Sequence, residues 1–209
     1  MKLELNHYYA LGIRQLFIVE GDPVYVQSKI MPDNQILNLK PQTYNPDYLI
    51  DAIKLAKNMN FNVSAACYPE GHPLAPSLEA SIERALEKQA AGCTQLIGQI
   101  SFTFPPFDSF LTKAGACGLK IPIIMSIMPS VPNKEFLYNF CFRNNISLPH
   151  ELKIATELER IEYLWHLIKD KNLDICYASL NRFSAFDQWV NKEKNFEIDN
   201  IPSISYGFK

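Results

Sequence analysis

Residues 61–100 open with Phe61-Asn62-Val63-Ser64-Ala65-Ala66 and run through Cys67 and the loop Tyr68-Pro69-Glu70-Gly71-His72. They then enter Pro76-Ser77-Leu78-Glu79 and close on Leu96-Ile97-Gly98-Gln99-Ile100. The two outer runs are short, apolar and partly β-branched, the signature of strands buried on both faces. Between them Leu78, Ile82, Ala85, Leu86 and Gln89 recur at helical spacing, after the helix-starting Pro76-Ser77-Leu78-Glu79. Strand, helix and strand in that order predict two parallel strands joined by a right-handed crossover.

The same alternation extends outward in both directions. Strands are expected at Leu16–Val19, Ile121–Ile127 and Leu173–Tyr177. Tyr48, Ile50, Ile53, Leu55 and Ala56 mark another helix. Further helices are expected from about Phe107 to Ala116, closing near Gly118, and from Lys134 to Phe142. A longer helix is expected from Ile154 to Ile168, with Leu158, Ile161, Leu164, Trp165 and Ile168 inward. Residues 5–14 read as the end of a helix stopped at Gly12.

The fold class is therefore α/β, with either a barrel or a doubly wound sheet as the solution. A nucleotide-binding doubly wound sheet normally carries Gly-x-Gly-x-x-Gly after its first strand, and no such run occurs. Polar residues instead cluster just after the strands, at Gly21-Asp22, Tyr68–His72, Ser101, Pro129 and Asn181-Arg182. That is how the C-terminal mouth of a TIM-type (β/α)8 barrel is furnished. Five strands are visible where eight close a barrel, and too little chain precedes Leu16 to hold the others. The expectation is an incomplete barrel of about five βα units over residues 1–185, with a C-terminal tail at 186–209. Leu16–Val19 would be its edge. Residues 23–43, with Pro23, Pro32, Asn34 and Pro41, form a long loop.

Composition narrows the function classes. The chain has 209 residues, 47% hydrophobic and 20% charged, with a formal net charge of −2. That balance supplies no pull toward nucleic acid or an anionic membrane. Lys192 and Lys194 are diluted by Glu193 and Glu197, as in a solvated tail. No apolar run reaches the roughly 18 residues of a membrane span. The N-terminus, Met1-Lys2-Leu3-Glu4-Leu5, lacks a signal peptide's apolar stretch. Five widely spaced cysteines without a Cys-x-x-Cys pair read as buried free thiols, with no metal site and no disulfide, in a cytoplasmic compartment.

The stretch Ala66-Cys67-Tyr68-Pro69-Glu70-Gly71-His72-Pro73-Leu74-Ala75-Pro76-Ser77 resembles the strand-to-helix loop of methylenetetrahydrofolate reductases, whose pattern is Ala-Tyr-Pro-Glu-x-His-Pro. Other landmarks follow in the family's order. They are Gly12-Ile13-Arg14 before Gly21-Asp22-Pro23, Ala91-Gly92 before Gln99, Pro122-Ile123-Ile124 before Ile127-Met128-Pro129, and Leu180-Asn181-Arg182. The resemblance covers about residues 8–185. It implies an enzyme with a (β/α)8 barrel that holds FAD. A hydride from NAD(P)H would reduce 5,10-methylenetetrahydrofolate to 5-methyltetrahydrofolate, in one-carbon metabolism and methionine supply. A homo-oligomer or a complementing chain is compatible with it.

Residue by residue, the resemblance implies cofactor-binding roles for Gly21, Asp22, Tyr68, His72 and Lys88. Asp22 is also the implied catalytic group, a negative charge beside the flavin that favours cationic folate intermediates. Substrate-binding roles fall to Gln99, Phe140 and Arg182. Each has a plainer reading. Asp22 could cap a turn, His72 could bond backbone, and Lys88 could be a solvated helix residue. Gln99 could be satisfied by neighbouring backbone, because a buried amide left unpaired costs about 1–3 kcal/mol. Phe140 could be core. Arg182 suits a bidentate grip on carboxylates.

The sequence also departs from the family. The Glu-Phe-Phe-Pro-Pro segment that carries the family's proton donor is absent. Phe102-Thr103-Phe104-Pro105-Pro106 resembles it only superficially. Glu20 stands where the family has Arg before Gly-Asp, and Ser81 and Glu87 replace an acidic and a basic cofactor contact. The stretch between Pro149 and Asn181 is shorter. A general acid typically contributes 10²–10⁴-fold in rate. A competing expectation is therefore a noncatalytic partial-barrel homologue that binds flavin, folate or a partner chain. A Schiff-base lyase would need a lysine at a strand end, and none of the five strands offers one.

Overall fold

A computed structural model describes residues 1–19, 47–72, 77–171 and 173–192. Its elements are α1 (Lys2–Ala10), β1 (Gln15–Ile18), α2 (Asp47–Asn58), β2 (Asn62–Cys67), α3 (Leu78–Ala90), β3 (Gln95–Ile100) and α4 (Pro105–Ala116). After them come β4 (Ile123–Ile127), α5 (Lys134–Arg143), α6 (His150–Ile154), α7 (Glu157–Ile168), β5 (Ile175–Tyr177) and α8 (Ser184–Lys192). The five strands are all parallel and lie in the order β1-β2-β3-β4-β5. A doubly wound sheet reverses its strand order part-way, whereas each crossover here steps the same way. The result is a half-barrel, the partial TIM-type fold expected.

Period-two alternation divides the sheet into two faces. On the convex face Ile18 pairs with Ala65, Ala65 with Leu96, and Leu96 with Ile123. These residues meet the inward faces of α2 and α3, where Ile53, Ala56, Ile82 and Ala85 are buried. A second cluster joins Ile100, Met125 and Ile127 to Leu137, Cys141, Leu152 and Leu164 of the later helices. Helix α4 serves both clusters, sending Phe110 into the first and Phe107 into the second. Gly98 permits that fit, since a Cβ there would lie 3.2 Å from both the Ile124 carbonyl oxygen and the Phe107 ring.

The Phe-Thr-Phe-Pro-Pro segment has a structural task. Phe102 and Phe104 are buried in the second cluster and Pro105 starts α4. That placement suits proline, which lacks the N–H a first helical turn leaves unpaired.

One expected boundary changes. The helix expected at 154–168 begins only at Glu157, after a break at Ala155-Thr156 that separates it from the short α6. Thr156 caps α7 with its hydroxyl to the Glu159 N–H, while the Glu159 carboxylate accepts from the Thr156 N–H at 2.6 Å. This reciprocal capping box outweighs continuation of the helix. Ile154 is consequently 70% exposed. Helix α8 packs on α7 through Trp189 and Ala185. The Trp189 and Trp165 rings meet edge to face at 5.5 Å. Residues 193–209, with Lys194, Glu193 and Glu197, lie outside the described residues. All five cysteines are free; Cys67, Cys93 and Cys141 are buried and Cys117 is exposed. Among the described residues no helix is long and apolar enough to cross a membrane.

Candidate functional site

Parallel strands send all their C-terminal ends to one edge of the sheet. Ile18, the last residue of β1, sits beside Ala65 of β2. The chain therefore leaves β1 toward the edge from which Tyr68 emerges. Gly21 and Asp22, and Glu20 before them, lie outside the described residues, as do the 23–43 loop and Pro73–Pro76.

The loop after β2 begins with a tight turn. The Gly71 N–H donates to the Tyr68 carbonyl at 3.0 Å, with Pro69 at the second position and Gly71 at φ +95°. Proline pre-sets the entry to such a turn and glycine accepts its left-handed end. The turn brings the Tyr68 and His72 rings together edge to face, with centroids 4.5 Å apart. Lys88 reaches the same place from α3. Only 1% exposed, it donates from Nζ to the Ala66 carbonyl at 2.8 Å and stands 5.8 Å from the Tyr68 ring centroid. The solvated reading of Lys88 is thereby corrected: its stem runs under the loop and its cation is delivered to the end of β2. Beside it, burial pushes the Cys67 thiol up to about 12, with Lys88 acting in the opposite direction. Cys67 is thus an inert thiol.

A second group forms at the end of β3. The Gln99 side-chain oxygen accepts from the Ile100 N–H at 2.9 Å, and its Nε2 donates to Asn144 Oδ1 at 3.2 Å. Asn144 Nδ2 donates in turn to the Phe140 carbonyl at 2.8 Å. Gln99 and Phe140 are so joined through a residue that the sequence did not single out. Phe140 is half-buried and stacks on Phe136, one turn earlier in α5, at 5.9 Å.

Arg182 is engaged elsewhere. Its Nε donates to Glu157 Oε1 of α7 at 2.8 Å. It follows Leu180 and Asn181, both in the left-handed region at φ +49° and +61°. Such strain in a non-glycine pair is uncommon and is concentrated at functional sites. Nearby, Arg160 is buried and donates to the carbonyls of Pro129 and Ala155, both at 2.6 Å. Burial lowers its pKa, an effect that Glu157 opposes and Arg182 reinforces. In sequence Arg160 reads as an ordinary helix-surface charge, so nothing there could have found it.

The family model for methylenetetrahydrofolate reductase matches residues 1–184. The chain belongs to the methylenetetrahydrofolate reductase family. It is 31% identical over 150 residues to the 5,10-methylenetetrahydrofolate reductase of Buchnera aphidicola subsp. Baizongia pistaciae, covering 71% of this chain and 45% of that one. Against the Escherichia coli (strain K12) enzyme of the same name it is 28% identical over 144 residues, with 68% and 43% covered. The chain thus spans less than half the length of these reductases. An uncharacterized Clostridium thermocellum protein that binds two copies of 5-methyl-5,6,7,8-tetrahydrofolic acid superposes at TM-score 0.41 and 18% identity, over 84% of this chain and 80% of that one.

The residues at the β2 end suit the flavin dinucleotide that the family implies. A buried ammonium offers charge to a phosphate, an aromatic ring offers a flat face, and a histidine offers a polar edge. Two of the departures fall on the neighbouring helix. Ser81 has a buried hydroxyl without a hydrogen-bond partner, and Glu87 is paired with Arg84 at 2.7 Å. Among the described residues no group of three His, Cys, Asp or Glu side chains could hold a metal.

Proposed function

We propose that this chain binds FAD and a folate at the C-terminal mouth of its half-barrel. We propose further that it takes part in the NAD(P)H-dependent reduction of 5,10-methylenetetrahydrofolate to 5-methyltetrahydrofolate. The observation that carries this reading is the convergence of Tyr68, His72 and Lys88 on the end of β2, beside the Gln99–Asn144–Phe140 chain at the end of β3. When bound, a flavin supplies the hydride relay between the nicotinamide and the folate. Tyr68, His72 and Lys88 would hold it, with Gly21 and Asp22 as further candidates from the sequence.

The chain's own groups have capacity to spare for a folate. Gln99 uses one N–H and one oxygen lone pair in the structure, so one of each remains for a pterin edge. Arg182 gives only its Nε–H to Glu157, leaving other guanidinium donors for a glutamate carboxylate. Phe140 offers an aromatic face.

A titration of the purified chain with FAD tests this, read by the flavin absorbance and fluorescence. Saturable binding is expected, weakened about tenfold in Lys88→Met, which loses an ionic contact of roughly 1.4 kcal/mol. Asp22→Asn should slow NAD(P)H oxidation without abolishing FAD binding. A spectrum unchanged by added FAD would overturn the reading. The Glu87–Arg84 pair favours a second one, because it sets a carboxylate where the family has a basic cofactor contact. On that reading the chain is a noncatalytic homologue that binds flavin or folate, and the titration would succeed while NAD(P)H oxidation failed.

A further inference from the structure

Glu70 sits third in the Tyr68–Gly71 turn, and nothing so far gives it a task. It makes two contacts with residues distant in sequence. Its backbone carbonyl accepts from Asn145 Nδ2 at 2.9 Å, 75 residues on, and its Oε2 accepts from the Ser147 N–H at 2.7 Å, 77 residues on. Its other carboxylate oxygen, Oε1, is buried without a hydrogen-bond partner, as is the Ser101 hydroxyl at the end of β3. Ser101 is nonetheless near enough to favour the charged form of Glu70, as Ser147 does, against a burial effect that raises its pKa. The thiol of Cys141 on α5 also feels this carboxylate. Burial pushes it up to about 12 and Glu70 adds to the rise.

The position of these partners matters. Asn145 directly follows Asn144, whose amide holds Gln99 and the Phe140 carbonyl. Glu70 therefore connects the turn that carries Tyr68 and His72 to the segment that carries the partner of Gln99. We propose that Glu70 is a positioning residue, tying the flavin-side loop to the folate-side end of α5 so that a ligand on either side organises the other. This rests on the flavin and folate reading above. The physical need is plain: two loops on separate strands drift independently unless tied, and a misplacement of about 1 Å between reacting groups can cost 10²-fold in rate.

The tie can be tested on the full chain, with and without ligand. Hydrogen-exchange mass spectrometry of Glu70→Ala should show exchange rising at least tenfold in residues 144–148 and in 68–72, with α2 and α3 unchanged. Glu70→Gln, whose amide oxygen can still accept from Ser147, should restore the protection. Asn145→Gly, which tolerates the left-handed φ of +53°, removes one contact only. It carries the test if Glu70→Ala does not fold. With ligands, FAD and 5-methyltetrahydrofolate should each tighten binding of the other in the wild type. That mutual enhancement should be lost in Glu70→Ala and regained in Glu70→Gln. Unchanged protection at 144–148, or enhancement that survives Glu70→Ala, would overturn the proposal. A wild type that binds neither ligand while the exchange data still show the tie would end the functional reading and the coupling with it.

Discussion

The two faces of the half-barrel are built on opposite chemistry. The convex face is a continuous apolar surface, where Val63, Ala65 and Leu96 are fully buried under helices. The concave face carries Gln15, Asn62, Ser64, Gln95 and Gln99 between its apolar residues, and Phe17 there is 48% exposed. Amides and hydroxyls on a sheet face forgo apolar burial and must find partners, as Ser64 does with Gln95 at 3.3 Å. The difference teaches that one face holds the fold together while the other is kept available for polar contacts.

That contrast can be broken or sharpened by substitution. Phe110→Ala on the convex side should be the most damaging, costing about 3–5 kcal/mol as a buried aromatic truncation. A urea melt would show it, and a loss under about 1 kcal/mol would mean that the convex core does not carry the stability. Gly98→Ala comes next. Its methyl would press on Phe107 and the Ile124 carbonyl, and overpacking of this kind costs about 1–3 kcal/mol. A neutral result would show that α4 can retreat.

Glu70, at the rim, should give a slope rather than a drop. Burial raises its pKa in the folded state above the ordinary glutamate value of 4.5, so the native protein holds that proton more tightly than the unfolded chain. The resulting stability is full below the ordinary value and is lost as pH rises through the raised one. The stability of Glu70→Gln relative to wild type should therefore increase with pH across that window and be flat below it. Melts that stay parallel from acid to neutral pH would contradict the burial. Smallest of all, Ser64→Ala on the concave face should change stability by no more than about 0.5 kcal/mol. A larger loss would mean that the Ser64–Gln95 contact supports the fold after all.

The alternation of strand and helix was readable because each element buries a face whose period shows in the residues, as with Ile53 and Ala56 on α2 or Leu96 in β3. The break at Thr156 is hidden by apolar spacing that runs through it, although Thr156 and Glu159 stand at capping-box spacing. Of the candidate site, Tyr68 and His72 were visible as a motif. Gln99 stood out as an amide among apolar neighbours, although not the partner it would find. Asn144 and Arg160 carried no local signal, because their importance lies in contacts with other elements.

From the order of residues alone came the five strands, their parallel sense and the loop after β2, all local consequences of periodicity and turn chemistry. Only the folded chain decided that Lys88 is buried with its ammonium at the end of β2, and that Glu70 reaches across to Asn145 and Ser147. Those contacts join residues that are tens of positions apart. Their existence depends on where whole elements pack, which no window of sequence records.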